Sequence, residues 1–135
     1  MKISQALLEE VVGHALADPG NEVCGLVAVD GAGTATAVRR AVNIHASPMK
    51  FEIDPKELLS LYNEIEDRGE ELGAIYHSHV RSPPYPSQTD VNFARSWPNV
   101  EWIIVGLAAG QRPEVRSYLI DGGRIEEVPI GEPGG

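Results

Sequence analysis

The stretch His77-Ser-His-Val-Arg-Ser-Pro-Pro-Tyr-Pro-Ser-Gln-Thr-Asp90 constrains the fold more than any other part of the sequence. His77 and His79 stand two apart, the spacing that puts side chains on one face of a β-strand. Ser87 and Asp90 stand three apart, the spacing of neighbours in the first turn of a helix. Between them Pro83, Pro84 and Pro86 fix backbone angles and stiffen the loop. Two imidazoles and a carboxylate converging from a strand end and a helix start make a three-ligand metal site. A fourth position stays open, which is the arrangement of a catalytic zinc rather than a structural one.

The rest of the chain bounds what such a site can serve. With 135 residues and 42% hydrophobic content, one domain with its own core is expected. The 11 basic and 20 acidic residues give a net charge of -9, which argues against a nucleic-acid partner, since phosphate binding rests on clustered Lys and Arg. Cys24 is the single cysteine, so an internal disulfide is excluded and a reducing compartment fits. The first residues reach Glu9 and Glu10 too soon for a signal peptide. The longest uncharged apolar run, 102–110, is far shorter than the ~20 residues of a membrane helix. A cytoplasmic protein with no membrane partner is the expectation.

Periodicity supplies the elements. Ser4 caps a first helix to about Ala17, with Leu7, Leu8, Val11, Val12, Ala15 and Leu16 on its buried face. His14 falls opposite, as a solvated histidine, and Gly13 marks a place of close packing. Val23–Val29 reads as a buried strand, and the turn at 30–33 leads to a second strand over 35–43. Phe51–Ile53 reads as a short strand. Asp54, Pro55 and Glu57 start a second helix as N-cap, first residue and capping-box partner. Its acidic residues form a solvated face. Residues 73–79 are a strand with Ile75, His77 and His79 on one face, and Ser87 opens a third helix to about Ser96. Residues 101–107 form a central strand, and 114–120 with 123–129 a closing hairpin. The fold class is α/β in the mixed, α+β sense: a single mostly antiparallel sheet flanked by about three helices. Residues 1–130 form the domain, and 131–135 a flexible tail.

Each part of the site has a plainer explanation when taken singly. Ser-x-x-Asp is a common helix start, and histidines two apart are often satisfied within a core. The joint pattern is far more specific, because both histidines lie at the C-terminal end of their strand, where sites tend to be built. His77-Ser-His79, seven residues, Ser87, two residues and Asp90 together resemble the H-x-H-x7-S-x2-D signature of the JAMM (MPN+) zinc metallopeptidases. Glu22-Val-Cys-Gly-Leu26 resembles that family's upstream glutamate before a buried strand. Asn43 with Ser47-Pro48, Phe51–Pro55, Ile75-Tyr76 and Arg116–Tyr118 extend the likeness over about residues 3–130.

The resemblance implies a JAMM, cytidine-deaminase-like architecture in which His77, His79 and Asp90 hold Zn²⁺. It implies that Glu22 is the general acid/base and that Ser87 supports the oxyanion. Chemistry independent of the family agrees with these roles: a carboxylate can carry a proton from water to a leaving nitrogen, and a hydroxyl can stabilise developing charge. Ser87 would then have to divide one hydroxyl between helix capping and catalysis. A rival cysteine hydrolase built on Cys24 is disfavoured, because its neighbours Val23, Leu26 and Val27 point to a buried, inert thiol. His45 has no assigned partner, and Arg39, Arg40 and Trp97 are read as surface or packing residues.

The compact form resembles stand-alone prokaryotic members that release an amino acid, typically cysteine, from the C-terminal Gly-Gly of a ubiquitin-like sulfur-carrier protein. That carrier is the implied partner, docked by strand addition. The alternatives are an isopeptidase that removes such a modifier from lysine, and a Gly-Gly-tail binding module without turnover. The chain's own Gly134-Gly135 resembles a product tail, but short Gly/Pro termini are usually frayed.

Overall fold

Two apolar faces of one sheet account for nearly all of the buried residues. The computed structural model describes residues 1–108 and 112–133. The elements run α1 (Gln5–Ala17), β1 (Cys24–Val29), β2 (Ala35–Ala41), α2 (Pro55–Asp67), β3 (Glu71–His79), α3 (Gln88–Ala94), β4 (Glu101–Gly106), β5 (Glu114–Asp121) and β6 (Arg124–Val128). The six strands lie in the order β2-β1-β3-β4-β5-β6. β3 and β4 pair in parallel, as a crossover through α3 requires, and the other neighbours pair antiparallel. Alternation along β3 builds both cores. Ile75 packs with Leu26, Trp102 and Ile104 on the face carrying Ile65 of α2 and Val91 of α3, while Ala74 and Tyr76 pack with Val27, Ile103 and Val11 of α1. No helix among the described residues is long and apolar enough to cross a membrane.

The register explains how distant residues meet. Cys24 of β1 pairs with His77 of β3. Two further places along this antiparallel pair set Glu22 opposite His79, on the same face, because side-chain direction repeats every second residue. The pairing does continue past the strand: Ser78 N donates to Val23 O at 3.1 Å, and Val23 N donates to Ser78 Oγ at 2.9 Å.

Several sequence expectations change. Phe51–Ile53 contributes one bridge, Asn43 with Ile53, rather than a strand; Phe51 instead turns inward onto His77. Glu57 does not close a capping box with Asp54. Its carboxylate accepts from Val42 N at 2.8 Å, while the Asp54 carboxylate caps Lys56 N at 2.8 Å. Leu16 is 52% exposed, because α1 needs only a narrow stripe against the sheet. His14 is not solvated: its Nδ1 lies 2.7 Å from the Tyr76 hydroxyl, and burial lowers its pKa. A Cβ on Gly13 would meet nothing within 4 Å, so no close packing explains that glycine. α3 ends at Ala94, two residues short of the expected Ser96. At the C-terminus, Gly131 bonds to the first strand-like residues through Ile3 N and Met1 O, and Gly134-Gly135 lie outside the described residues.

One contact ties the fold to the proline loop. Tyr118 Oη donates to Pro84 O at 2.5 Å, and the Pro84 ring sits over Gly106, where a Cβ would come within 2.8 Å of Pro84 Cδ. Gly106→Ala is therefore expected to lower stability by about 1–3 kcal/mol, the usual cost of overpacking. Urea denaturation measures this; an unchanged midpoint would mean that the loop is not clamped there.

Candidate metal centre

β3 delivers its two imidazoles to one point. His77 Nε2 and His79 Nε2 lie 3.1 Å apart. Helix α3 delivers the third group by its cap: Ser87 Oγ accepts from Asp90 N at 3.1 Å, and Ser87 N donates to Asp90 Oδ2 at 2.9 Å. This reciprocal box fixes the carboxylate in the rotamer that faces the strand. Asp90 Oδ2 then stands 3.1 Å from His77 Nε2 and 3.3 Å from His79 Nε2. All three side chains are buried, and their three donor atoms lie within 4.8 Å of one another.

The surroundings prepare these atoms to hold a cation. His79 Nδ1 is 2.8 Å from Pro83 O. A carbonyl only accepts, so Nδ1 carries the hydrogen and Nε2, once deprotonated, has its lone pair at the shared point. Phe51 stacks on the His77 ring at 4.5 Å between centroids and holds its plane. Two nitrogen lone pairs and a carboxylate oxygen crowded this closely in a buried place need a positive charge among them. A divalent metal ion fits that donor set. Charge in the site is strongly biased already. Burial would raise the Asp90 carboxyl, but the charge of His77 and hydrogen bonds from His77, His79 and the Ser87 N–H hold it well below the usual range. Burial would lower His79, but its bonds to Asp90 and Pro83 and the charges of Asp90 and Glu22 raise it.

Glu22 enters from the segment that leads into β1. It is 7% exposed, and its backbone is held by Ser47 O, 2.8 Å from its N–H, and by Asn43 Nδ2, which donates to its carbonyl at 2.9 Å. Glu22, Phe51, His79, Ser87 and Asp90 line one cleft of about 60 Å³, room for a few waters. Burial pushes the Glu22 carboxyl up to about 7; the charge of His79 opposes this and that of Asp90 adds to it. Such a group can take or give a proton near neutral pH. Ser87 sits exposed at the rim. Its oxygen accepts the cap bond from Asp90 N, which leaves its own hydrogen free to donate.

The five residues singled out in the sequence thus come together. Cys24 does not join them; it is buried in the core, and burial pushes its thiol up to about 12. His45 lies on the surface, 2.9 Å from the Glu52 carboxylate. The positioning roles of Phe51, Asn43 and Tyr118 escaped the sequence reading, since nothing in their spacing says which side chain turns toward the site.

Residues 4–121 match the family described as prokaryotic homologs of the JAB domain. The chain belongs to that family. This JAB-domain protein is 34% identical over 125 residues to the CysO-cysteine peptidase of Mycobacterium tuberculosis, spanning 92% of this chain and 85% of the relative. It is 42% identical over 92 residues to the desampylase of Haloferax volcanii, covering 67% of this chain and 66% of that one. The solution structure of protein DSY2949 from Desulfitobacterium hafniense has a TM-score of 0.83 to it at 30% identity, covering 96% and 90% of the two chains. Every residue of the site lies inside the JAB-domain match.

Proposed function

We propose that this JAB-domain protein is a zinc peptidase that hydrolyses the bond after the C-terminal Gly-Gly of a ubiquitin-like sulfur-carrier protein and releases one amino acid, such as cysteine. The observation that carries this reading is the convergence of Glu22, two residues before β1, on the cleft where His79 and Asp90 gather with His77. Likeness to a CysO-cysteine peptidase supports the leaving group.

In this reading His77, His79 and Asp90 hold zinc, which when bound polarises the scissile carbonyl and eases the deprotonation of water. Glu22 takes a proton from the attacking water. The water oxygen bonds to the glycine carbonyl carbon, and the Ser87 hydroxyl donates to the carbonyl oxygen as charge develops there. Glu22 returns the proton to the leaving nitrogen as the C–N bond breaks. The products are a Gly-Gly carboxylate and a free amine. Glycines suit a buried site of this kind, since they let an extended backbone approach without a Cβ in the way.

The test is to incubate zinc-loaded protein with one carrier in two forms, Gly-Gly-Cys and a Gly-Gly lysine isopeptide, and to weigh the products. Cysteine released together with a carrier ending in Gly-Gly is the expected result. Release from the lysine form alone would assign an isopeptidase. Tight binding of both forms with no product would assign a Gly-Gly binding module instead.

A further inference from the structure

We propose that Lys50 is a specificity-determining residue that binds the free α-carboxylate of the residue being released, so that the site acts as a carboxypeptidase. The inference rests on the peptidase reading above and names the part of the substrate that the cleft recognises.

The cleft places Lys50 beside Glu22, His79 and Asp90, and among the described residues Lys50 is the one Lys or Arg that lines it. Its ammonium is uncommitted: among the described residues no ion pair engages it, whereas Arg68 and Arg116 both pair with neighbouring glutamates. Its backbone, in contrast, is fixed. Lys50 O accepts from Asn43 Nδ2 at 2.9 Å, and the same amide group donates to Glu22 O at 2.9 Å. One asparagine thus sets the root of the lysine stem relative to the proton carrier. The following residue, Phe51, is anchored on the His77 ring.

The substrate supplies the complement. A Gly-Gly-X terminus has no side chain on its glycines to recognise, and its single fixed charge is the terminal carboxylate. That anion must enter beside Glu22 and Asp90 on a chain whose net charge is -9. A cation at the mouth offsets this repulsion. A lysine suits the task, because it is a compact charge on a flexible, solvated stem and can follow one carboxylate into place. In a lysine isopeptide an aliphatic stem follows the scissile nitrogen, and no carboxylate occupies that position. Lys50 therefore favours release of a single amino acid over cleavage of a conjugate.

The experiment compares zinc-loaded wild type, Lys50→Ala, Lys50→Arg and Lys50→Glu on two carriers, one ending in Gly-Gly-Cys with a free carboxylate and one ending in the carboxamide. Wild type is expected to prefer the acid by about tenfold in kcat/KM, mostly through KM. Lys50→Ala should bring that ratio near one, Lys50→Arg should keep most of it, and Lys50→Glu should invert it. Calorimetric titration of Glu22→Gln protein, with and without Lys50→Ala, should give the same ordering in Kd with no turnover. Equal cleavage of both carriers by wild type, or an acid preference unchanged in Lys50→Ala, overturns the inference alone. Cleavage of neither carrier overturns the peptidase reading and this inference with it.

Discussion

Replacing Glu22 with glutamine is expected to lower kcat by at least about 10²-fold, and up to about 10⁴-fold, with metal content unchanged. The substitution is nearly isosteric. Glu22 is held in place through its backbone, by Ser47 O and the Asn43 amide, and those bonds do not depend on the carboxylate. Nor is Glu22 one of the three gathered donor atoms. What glutamine loses is the ability to carry a proton. Metal analysis and product mass spectrometry on the same sample separate the two properties. Undiminished hydrolysis would remove Glu22 from the reaction, and lost metal would make it a ligand.

The same residue sets a pH dependence whose sign can be stated. Its carboxyl is raised from 4.5 to about 7 by burial in the metal-free protein. A dication beside it favours the carboxylate, so the acid limb of the rate profile of the loaded enzyme is expected to lie below about 7. For stability the sign is the reverse of a salt-bridged acid. The folded chain binds this proton more tightly than the unfolded chain, so the cost of the buried carboxylate is absent below pH 4.5 and grows as pH rises toward 7. Glutamine pays no such cost. Metal-free Glu22→Gln should therefore be more stable than wild type above pH 7, by an order of 1–3 kcal/mol once partial solvation of the group is allowed for. Urea melts at pH 5 and pH 8 test this.

Why the site was legible while parts of the frame were not follows from how each is encoded. His77 with His79, and Ser87 with Asp90, are local spacings that only one backbone geometry satisfies, so their convergence could be read directly. Glu22 could not be placed by spacing. It came from likeness to a family, and the structure supplies the reason: two places along an antiparallel register set by Cys24 and His77. The strand assigned to Phe51–Ile53 failed because alternation over three residues fits an inward-turned loop equally well. His14 departs from its expected place because helix position says nothing about a tyrosine of β3 that reaches up to the helix. Long-range clamps such as Tyr118 on Pro84 leave no local trace at all.

Asp90→Ala is expected to cost at least ~10²-fold in zinc affinity and to reduce hydrolysis to background, since even residues that merely orient ligands cost 10–100-fold. The carboxylate performs three tasks at once. It supplies one of the three gathered donor atoms, it brings the negative charge among them, and it accepts the Ser87 N–H that closes the cap of α3. Losing the cap alone should lower metal-free stability by about 1 kcal/mol. In wild type, metal at a hundredfold excess over Kd should add about 2.7 kcal/mol, reversed by a chelator, and in Asp90→Ala it should add almost nothing. Because Asp90 is held well below its ordinary 3.8, its contribution is present above that value and lost only in stronger acid. Wild type and variant should therefore differ at every pH at which the protein is normally handled. Asp90→Asn separates the tasks. Its amide oxygen can still accept the Ser87 N–H and keep the helix start, while the negative charge on the donor is gone. If Asp90→Asn melts like metal-free wild type and gains nothing from zinc, the carboxylate is a ligand as well as a cap. If it gains as much as wild type does, the carboxylate at position 90 caps a helix and the donor set must be sought elsewhere.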